Sequence, residues 1–282
     1  MLNSKELCCV LTAACLLAAC VPKRPVEISA NQALERLAPH LRVQKPQRNS
    51  PHKTVLLFHG AKPGPAWDIR YQKIMTRIQR EGYAVIFVDS FASRQTTGAS
   101  VFSGDLLPTE TSGDVMMAIE WARNQNWVDN ENIFAFGYSF GGAAVMDSLT
   151  LSAPGLKPTG LLERPETGVG GLNAIVLVSP WCKADVFGFN LIASVHKNFF
   201  VNIPTLAVQP MQDTISDQAL CSRIFSRNKN NGFPIQTLNL ESAEHRFMFS
   251  TNSNGGSESH YDIDLTANVY ADIFEFLRRH WK

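Results

Sequence analysis

One stretch constrains the fold of this chain more than any other. Ile133-Phe134-Ala135-Phe136 is an apolar run of strand character, Gly137-Tyr138-Ser139-Phe140-Gly141-Gly142 follows, and Ala143-Ala144-Val145-Met146 opens a helix. A Gly-x-Ser-x-Gly between a strand and a helix is the pattern of a nucleophile elbow. The reason for the glycines is steric. The turn is so tight that side chains two residues either side of Ser139 would meet each other or the neighbouring strand. The serine is forced into a strained backbone with its hydroxyl presented outward. A glycine-rich turn whose serine merely caps a helix has the same letters. The rest of the chain must therefore supply the partners that a nucleophile needs.

The surroundings alternate. Thr54-Val55-Leu56-Leu57-Phe58 and the runs at 83–88, 174–178 and 205–208 are continuously apolar, as strands are when both faces of a parallel sheet are covered. Residues 235–240 alternate in polarity, which places them near a sheet edge. Helical spacing is present at 71–78, stopped by Gly82, and again at 114–124 and 265–279. Residues 152–171, with several prolines and glycines, read as an irregular excursion. The pattern predicts an α/β fold: one doubly wound, mostly parallel sheet with helices on both faces. Right-handed crossovers bring the loops that follow the strands to one edge. His59, Asp89, Ser139, Trp181 and Asp213 all follow strands, so they are expected on one rim. With 282 residues, 45% of them apolar, the core is ample. A net charge of +1 and the lack of a basic run give no ground for nucleic-acid binding.

The N-terminus differs from the rest. After Lys5 comes an uncharged apolar segment that is short for a membrane span but has the length of a signal-peptide core. It ends Leu17-Ala18-Ala19-Cys20, which resembles a bacterial lipobox with Cys20 as the lipidated residue. The expected organisation is a lipoprotein signal peptide over 1–19, a proline-rich tether over 20–50 with a short helix near 31–37, and the folded domain over 51–282. Val21 stands where aspartate marks inner-membrane retention in many Gram-negative lipoproteins. The expected address is therefore the outer membrane, facing the periplasm. Of six cysteines, only Cys182 and Cys221 lie in the domain itself. In an exported chain they either pair or remain two buried thiols.

A serine hydroxyl needs a base, and the base needs an orienting carboxylate. In hydrolases built on this elbow the order along the chain is serine, acid, histidine. Asp213 lies in the loop after the strand at 205–208, with Asp217 as reserve. Among the later histidines only His245 follows a strand into a loop. His260 lies in a polar stretch and His280 at the end of the last helix, where a cation suits the helix dipole. Donors for a tetrahedral oxyanion are expected from the N–H groups of Phe140 and Ala61. His59 is expected to hold the Ala61 loop, and Asp89, Ser90, Arg94 and Trp181 to line the substrate pocket. Neither a metal nor another cofactor is called for.

Several pieces together carry a resemblance: Phe58-His59-Gly60, Gly82-Tyr83-Ala84-Val85 leading to Asp89-Ser90-Phe91 and Arg94, the elbow, Asp213, and His245 with Phe247. In them the chain resembles α/β-hydrolases of the dienelactone hydrolase-like family. The resemblance implies a Ser139–His245–Asp213 triad acting on a small acyl substrate. It also favours a Cys182–Cys221 disulfide that braces the acid-bearing loop. Dienelactone hydrolases proper use cysteine where this chain has Ser139, which argues against dienelactone as substrate. The expectation is a lipid-anchored serine hydrolase. Two alternatives stand beside it: a peptidase or amidase with the same triad, and an envelope lipoprotein that keeps the fold without turnover.

Overall fold

A computed structural model of the chain describes residues 26–182, 198–251, 256, 258 and 260–282. The expected signal peptide, the Cys20 that follows it and residues 183–197 lie outside the described residues. Seven strands form one sheet in the order β1-β3-β2-β4-β5-β6-β7. They are β1 (Leu41–Gln44), β2 (His52–Phe58), β3 (Ala84–Val88), β4 (Val128–Tyr138), β5 (Ala174–Val178), β6 (Thr205–Pro210) and β7 (Ile235–Leu240). All neighbours are parallel except β1, which runs antiparallel to β3. The middle of the sheet is fully covered: Leu56 pairs with Ile86 on one side and Ala135 on the other, and none of the three is exposed. That burial on both faces is why these strands carry no polar alternation.

The helices are α1 (Ala30–Leu37), α2 (Ile69–Arg80), α3 (Ala99–Phe102), α4 (Pro108–Arg123), α5 (Phe140–Leu151), α6 (Gln218–Asn230) and α7 (Ile263–Arg279). Right-handed crossovers put α4, α5 and α6 on one face and α2 on the other. Accordingly α4 packs on α5, while α7 shares a face with α2, the Arg77 guanidinium lying 5.4 Å from the Tyr270 ring centre.

The stretch expected to be a tether is corrected in part. A capping box at Ser29 and Gln32 starts α1. That helix packs on α4 and buries Ala33 and Leu37. β1 then extends the sheet beyond β3. Folded structure thus begins near Ile28, which pairs with Leu161 of the 152–171 excursion. The stretch between the apolar run at 83–88 and the helix expected at 114–124 also holds α3 and the first turn of α4. There Pro108 opens the helix and Glu110 accepts from the Leu107 N–H at 2.9 Å.

Candidate active site

The elbow is built from steric exclusion. A Cβ on Gly137 would lie 2.8 Å from the Gly142 Cα, and one on Gly141 would overlap the Phe58 carbonyl of β2. Both positions therefore require glycine. Ser139, between them, has φ 51° and ψ −117°, a strained conformation for a side-chain-bearing residue. Its backbone is fixed by β5, since its N–H donates to the Val178 carbonyl at 3.1 Å and its carbonyl accepts from the Trp181 N–H at 3.0 Å.

Three side chains meet there. Ser139 Oγ donates to His245 Nε2 at 2.9 Å, and His245 Nδ1–H donates to Asp213 Oδ2 at 2.6 Å. An ionised carboxylate only accepts, which sets the imidazole tautomer with Nε2 bare toward the serine. Asp213 is itself immobilised. Its Oδ1 accepts the N–H groups of Ile215 (2.8 Å) and Ser216 (2.9 Å), and its Oδ2 accepts the Gln218 amide at 2.9 Å. Asp217, the reserve acid, caps α6 through the Leu220 N–H. His260 pairs at the surface with Glu244, and His280 bonds the Phe276 carbonyl at the end of α7.

Phe140 and Ala61 both border a cavity of about 290 Å³ that opens over Ser139 and His245. Phe140 is the first residue of α5, where an N–H has no intrahelical acceptor. The loop carrying Ala61 is held from three sides. Gly60 N–H donates to the Tyr71 hydroxyl at 2.7 Å, and Lys62 is paired with Asp68 at 2.8 Å. Gly98 lies so close to the Lys62 backbone that any side chain there would overlap it. Burial alone would raise the Asp68 carboxyl, but hydrogen bonds from Arg70 and Lys62 outweigh it and hold the group below its usual value. Burial raises Tyr71 and Tyr138, so both stay as neutral hydroxyls. His59 lies behind the loop, stacked on Phe87 and edge-on to Phe91, with Nδ1–H donating to the Gly60 carbonyl at 3.1 Å.

Of the four residues expected to line the pocket, only Trp181 does. Asp89 is buried and caps a short turn through the Ala92 N–H. Ser90 gives its carbonyl to Ser93 and Arg94. Arg94 neither faces a ligand nor sits in solvent. Its guanidinium grips Asp114 of α4 at 2.5 and 3.0 Å and also donates to the Glu110 carbonyl. A guanidinium taken out of water needs a carboxylate, and the facing helix supplies one. Beside Trp181 the cavity walls come from Pro63, Val101, Phe102, Phe140 and Ile215, and Lys62, Arg70 and Arg246 also line it. Val101, Phe102 and Ile215 carry the one sequence signal that was available, namely bulky apolar residues inside otherwise polar loops.

Cys182 and Cys221 form a disulfide with Cα atoms 5.4 Å apart, joining the exit of β5 to α6. Residues 152–171 take no part in the cavity wall.

Residues 30–159 match the family described as X-Pro dipeptidyl-peptidase (S15 family), a span that includes Ser139 and stops before Asp213 and His245. No curated protein matches the chain. Among solved structures it is similar to esterase 2 of Thermogutta terrifontis phosphonylated by cyclosarin, at 16% identity over 85% of this chain and 88% of that one, with TM-score 0.63. The propionate-bound form of the Thermogutta esterase is similar at 17% identity over 85% and 88%, TM-score 0.61. A candidate dienelactone hydrolase from Klebsiella pneumoniae matches at 13% identity over 84% and 92%, TM-score 0.62. At these identities the likeness is one of fold: the chain has the α/β-hydrolase fold.

Proposed function

We propose that the chain is a serine hydrolase that cleaves carboxylic ester or related acyl bonds of small substrates through an acyl-enzyme on Ser139. The observation that carries this reading is the hydrogen-bonded line Ser139–His245–Asp213 at the floor of an accessible cavity. His245 takes the serine proton as Oγ attacks the carbonyl carbon, while Asp213 stabilises the imidazolium. The N–H groups of Phe140 and Ala61 receive the oxyanion, each contributing about a hundredfold or more in rate. His245 then returns the proton to the leaving alcohol, and a water activated by the same imidazole releases the acid. The modest, mostly apolar cavity suits a short acyl group, and the similar fold holds propionate in the Thermogutta esterase.

p-Nitrophenyl acetate and butyrate test the reading. Ser139→Ala should lower turnover by about a thousandfold or more. Equal rates for both proteins end the hypothesis.

The match to the X-Pro dipeptidyl-peptidase family supports a second reading, a peptidase with the same triad. A dipeptidyl peptidase must meet the substrate's ammonium group with a carboxylate. The described cavity wall carries Lys62, Arg70 and Arg246 and no acidic side chain, which favours the esterase. Release of p-nitroaniline from an Xaa-Pro-p-nitroanilide faster than p-nitrophenol from the esters would reverse that order.

The cellular setting follows from Leu17-Ala18-Ala19-Cys20: a lipid anchor in the cell envelope, with the domain facing the periplasm. Labelled palmitate should enter the wild type and be lost in Cys20→Ser; equal incorporation in both argues against the anchor.

A further inference from the structure

The exit of β5 touches every segment that bears a reacting side chain. Val178 and Trp181 hold the Ser139 backbone, as described above. The Ser179 hydroxyl donates to the carbonyl of His245 at 3.0 Å. Ser216 Oγ donates to the Pro180 carbonyl at 2.8 Å and accepts the Cys182 N–H at 3.1 Å, while the Ser216 N–H is bound by Asp213. Five consecutive residues, 178–182, thereby tie the nucleophile, base and acid loops to one strand end.

Ser179 stands out among them. Its φ is 46°, in the left-handed region, and it is completely buried. A serine persists there only where its surroundings over-determine it. The bond that this conformation secures is the one to His245. A second donor reaches the same oxygen, the Tyr138 hydroxyl at 3.0 Å. Tyr138 ends β4 and Ser179 follows β5, so two adjacent strands clamp the His245 carbonyl from two directions. The imidazole spans only 2.9 Å to Ser139 and 2.6 Å to Asp213, so a small shift of its backbone would break one contact or the other.

We propose that Ser179, with Tyr138, is a positioning residue for His245. It touches no substrate and acts by fixing the backbone from which the general base projects. This rests on the serine-hydrolase reading above. Its strained backbone is retained because it aims a hydroxyl that no relaxed residue at this position would supply.

Ser179→Gly tests it, because glycine takes a left-handed φ without steric cost. That variant loses the hydroxyl while keeping or gaining stability. Its kcat on p-nitrophenyl butyrate should fall about tenfold or more, with KM within about twofold of wild type. Labelling of Ser139 by a fluorophosphonate should slow by the same factor, and the thermal midpoint should stay level or rise. Adding Tyr138→Phe should lower kcat further than the product of the single effects, because either hydroxyl alone still restrains the carbonyl. Wild-type kcat and labelling in Ser179→Gly would overturn the proposal and leave the hydrolase reading intact, provided Ser139→Ala is inactive. A kcat loss that merely follows a lowered thermal midpoint would assign the hydroxyl to stability and overturn it too. A wild type that neither turns over an ester nor takes the probe removes the reading and the proposal together.

Discussion

His59 sits 2% exposed behind the loop that carries Ala61, its Nδ1–H on the Gly60 carbonyl and no partner for Nε2 among the described residues. Burial pushes its pKa below the ordinary 6.5, and the opposing pull of Asp89 and of the Gly60 carbonyl does not restore it. The unfolded chain therefore takes up this proton at a higher pH than the folded one. Stability must fall as pH drops below 6.5 and keep falling toward the lower folded value. His59→Asn retains an N–H donor and does not titrate, so its thermal midpoint should decline less than that of wild type between pH 7.5 and 5.5, a window set by that ordinary value of 6.5. His52, also lowered by burial and by Lys45, contributes equally to both proteins and cancels in the comparison. Parallel curves would show that His59 is free to protonate in the fold. At Gly141 the argument is purely steric. A methyl group there strikes the Phe58 carbonyl at the end of β2, so Gly141→Ala should cost about 3 kcal/mol in urea denaturation. A midpoint like that of wild type would mean that the elbow has room that its geometry denies.

Among the elements, the central strands were legible because burial on both faces writes an uninterrupted apolar run, and the residue after each run landed on the rim for the same topological reason. β1 was not legible. Leu41-Arg42-Val43-Gln44 is four residues long and pairs on one edge only, so its polar residues cost nothing and leave no strand signal. Asp217 shows a similar limit. From the sequence it stands as a reserve acid, and only the Leu220 N–H at 2.8 Å reveals it as a helix cap. The cysteine pair was open on sequence grounds alone, because pairing depends on how close β5 and α6 come in the fold. Their bridge closes a loop with a sequence separation of 39. Cross-linking a loop of that length restricts the unfolded chain, and removing it should cost about 3–4 kcal/mol. Cys182→Ser/Cys221→Ser should therefore show a lower urea midpoint, and reduced wild type should approach it. A loss below about 1 kcal/mol would mean that the Ser216 hydrogen bonds hold the acid loop without the covalent link.

At the scale of the whole molecule, side chains whose place follows from strand order were legible, and those placed by long-range pairing were not. Ser139, Asp213 and His245 belong to the first kind. Arg94 belongs to the second: its destination depends on Asp114, twenty residues on, lying across a helix interface. The N-terminal stretch is the largest instance. Its prolines and charges read as a tether, yet α1 buries Leu37 and Ala33 against α4, and β1 covers the outer edge of β3. Arg36 of α1 lies near the Arg94–Asp114–Glu110 cluster, where burial and the Arg94 charge depress its pKa. Removing this stretch would open a sheet edge, uncover apolar side chains and admit water to a buried ion pair. A chain starting at residue 26 should keep the thermal midpoint and ester turnover of the full chain. One starting at residue 46 should lose about 3 kcal/mol or more, or aggregate through the bared edge of β3. Equal midpoints for the two truncations would return residues 26–45 to the role of a tether. A fall confined to the shorter chain makes them a wall of the folded domain, which then starts at Ile28, eight residues after Cys20. Any anchor there would hold the folded domain against the membrane rather than at the end of a long leash.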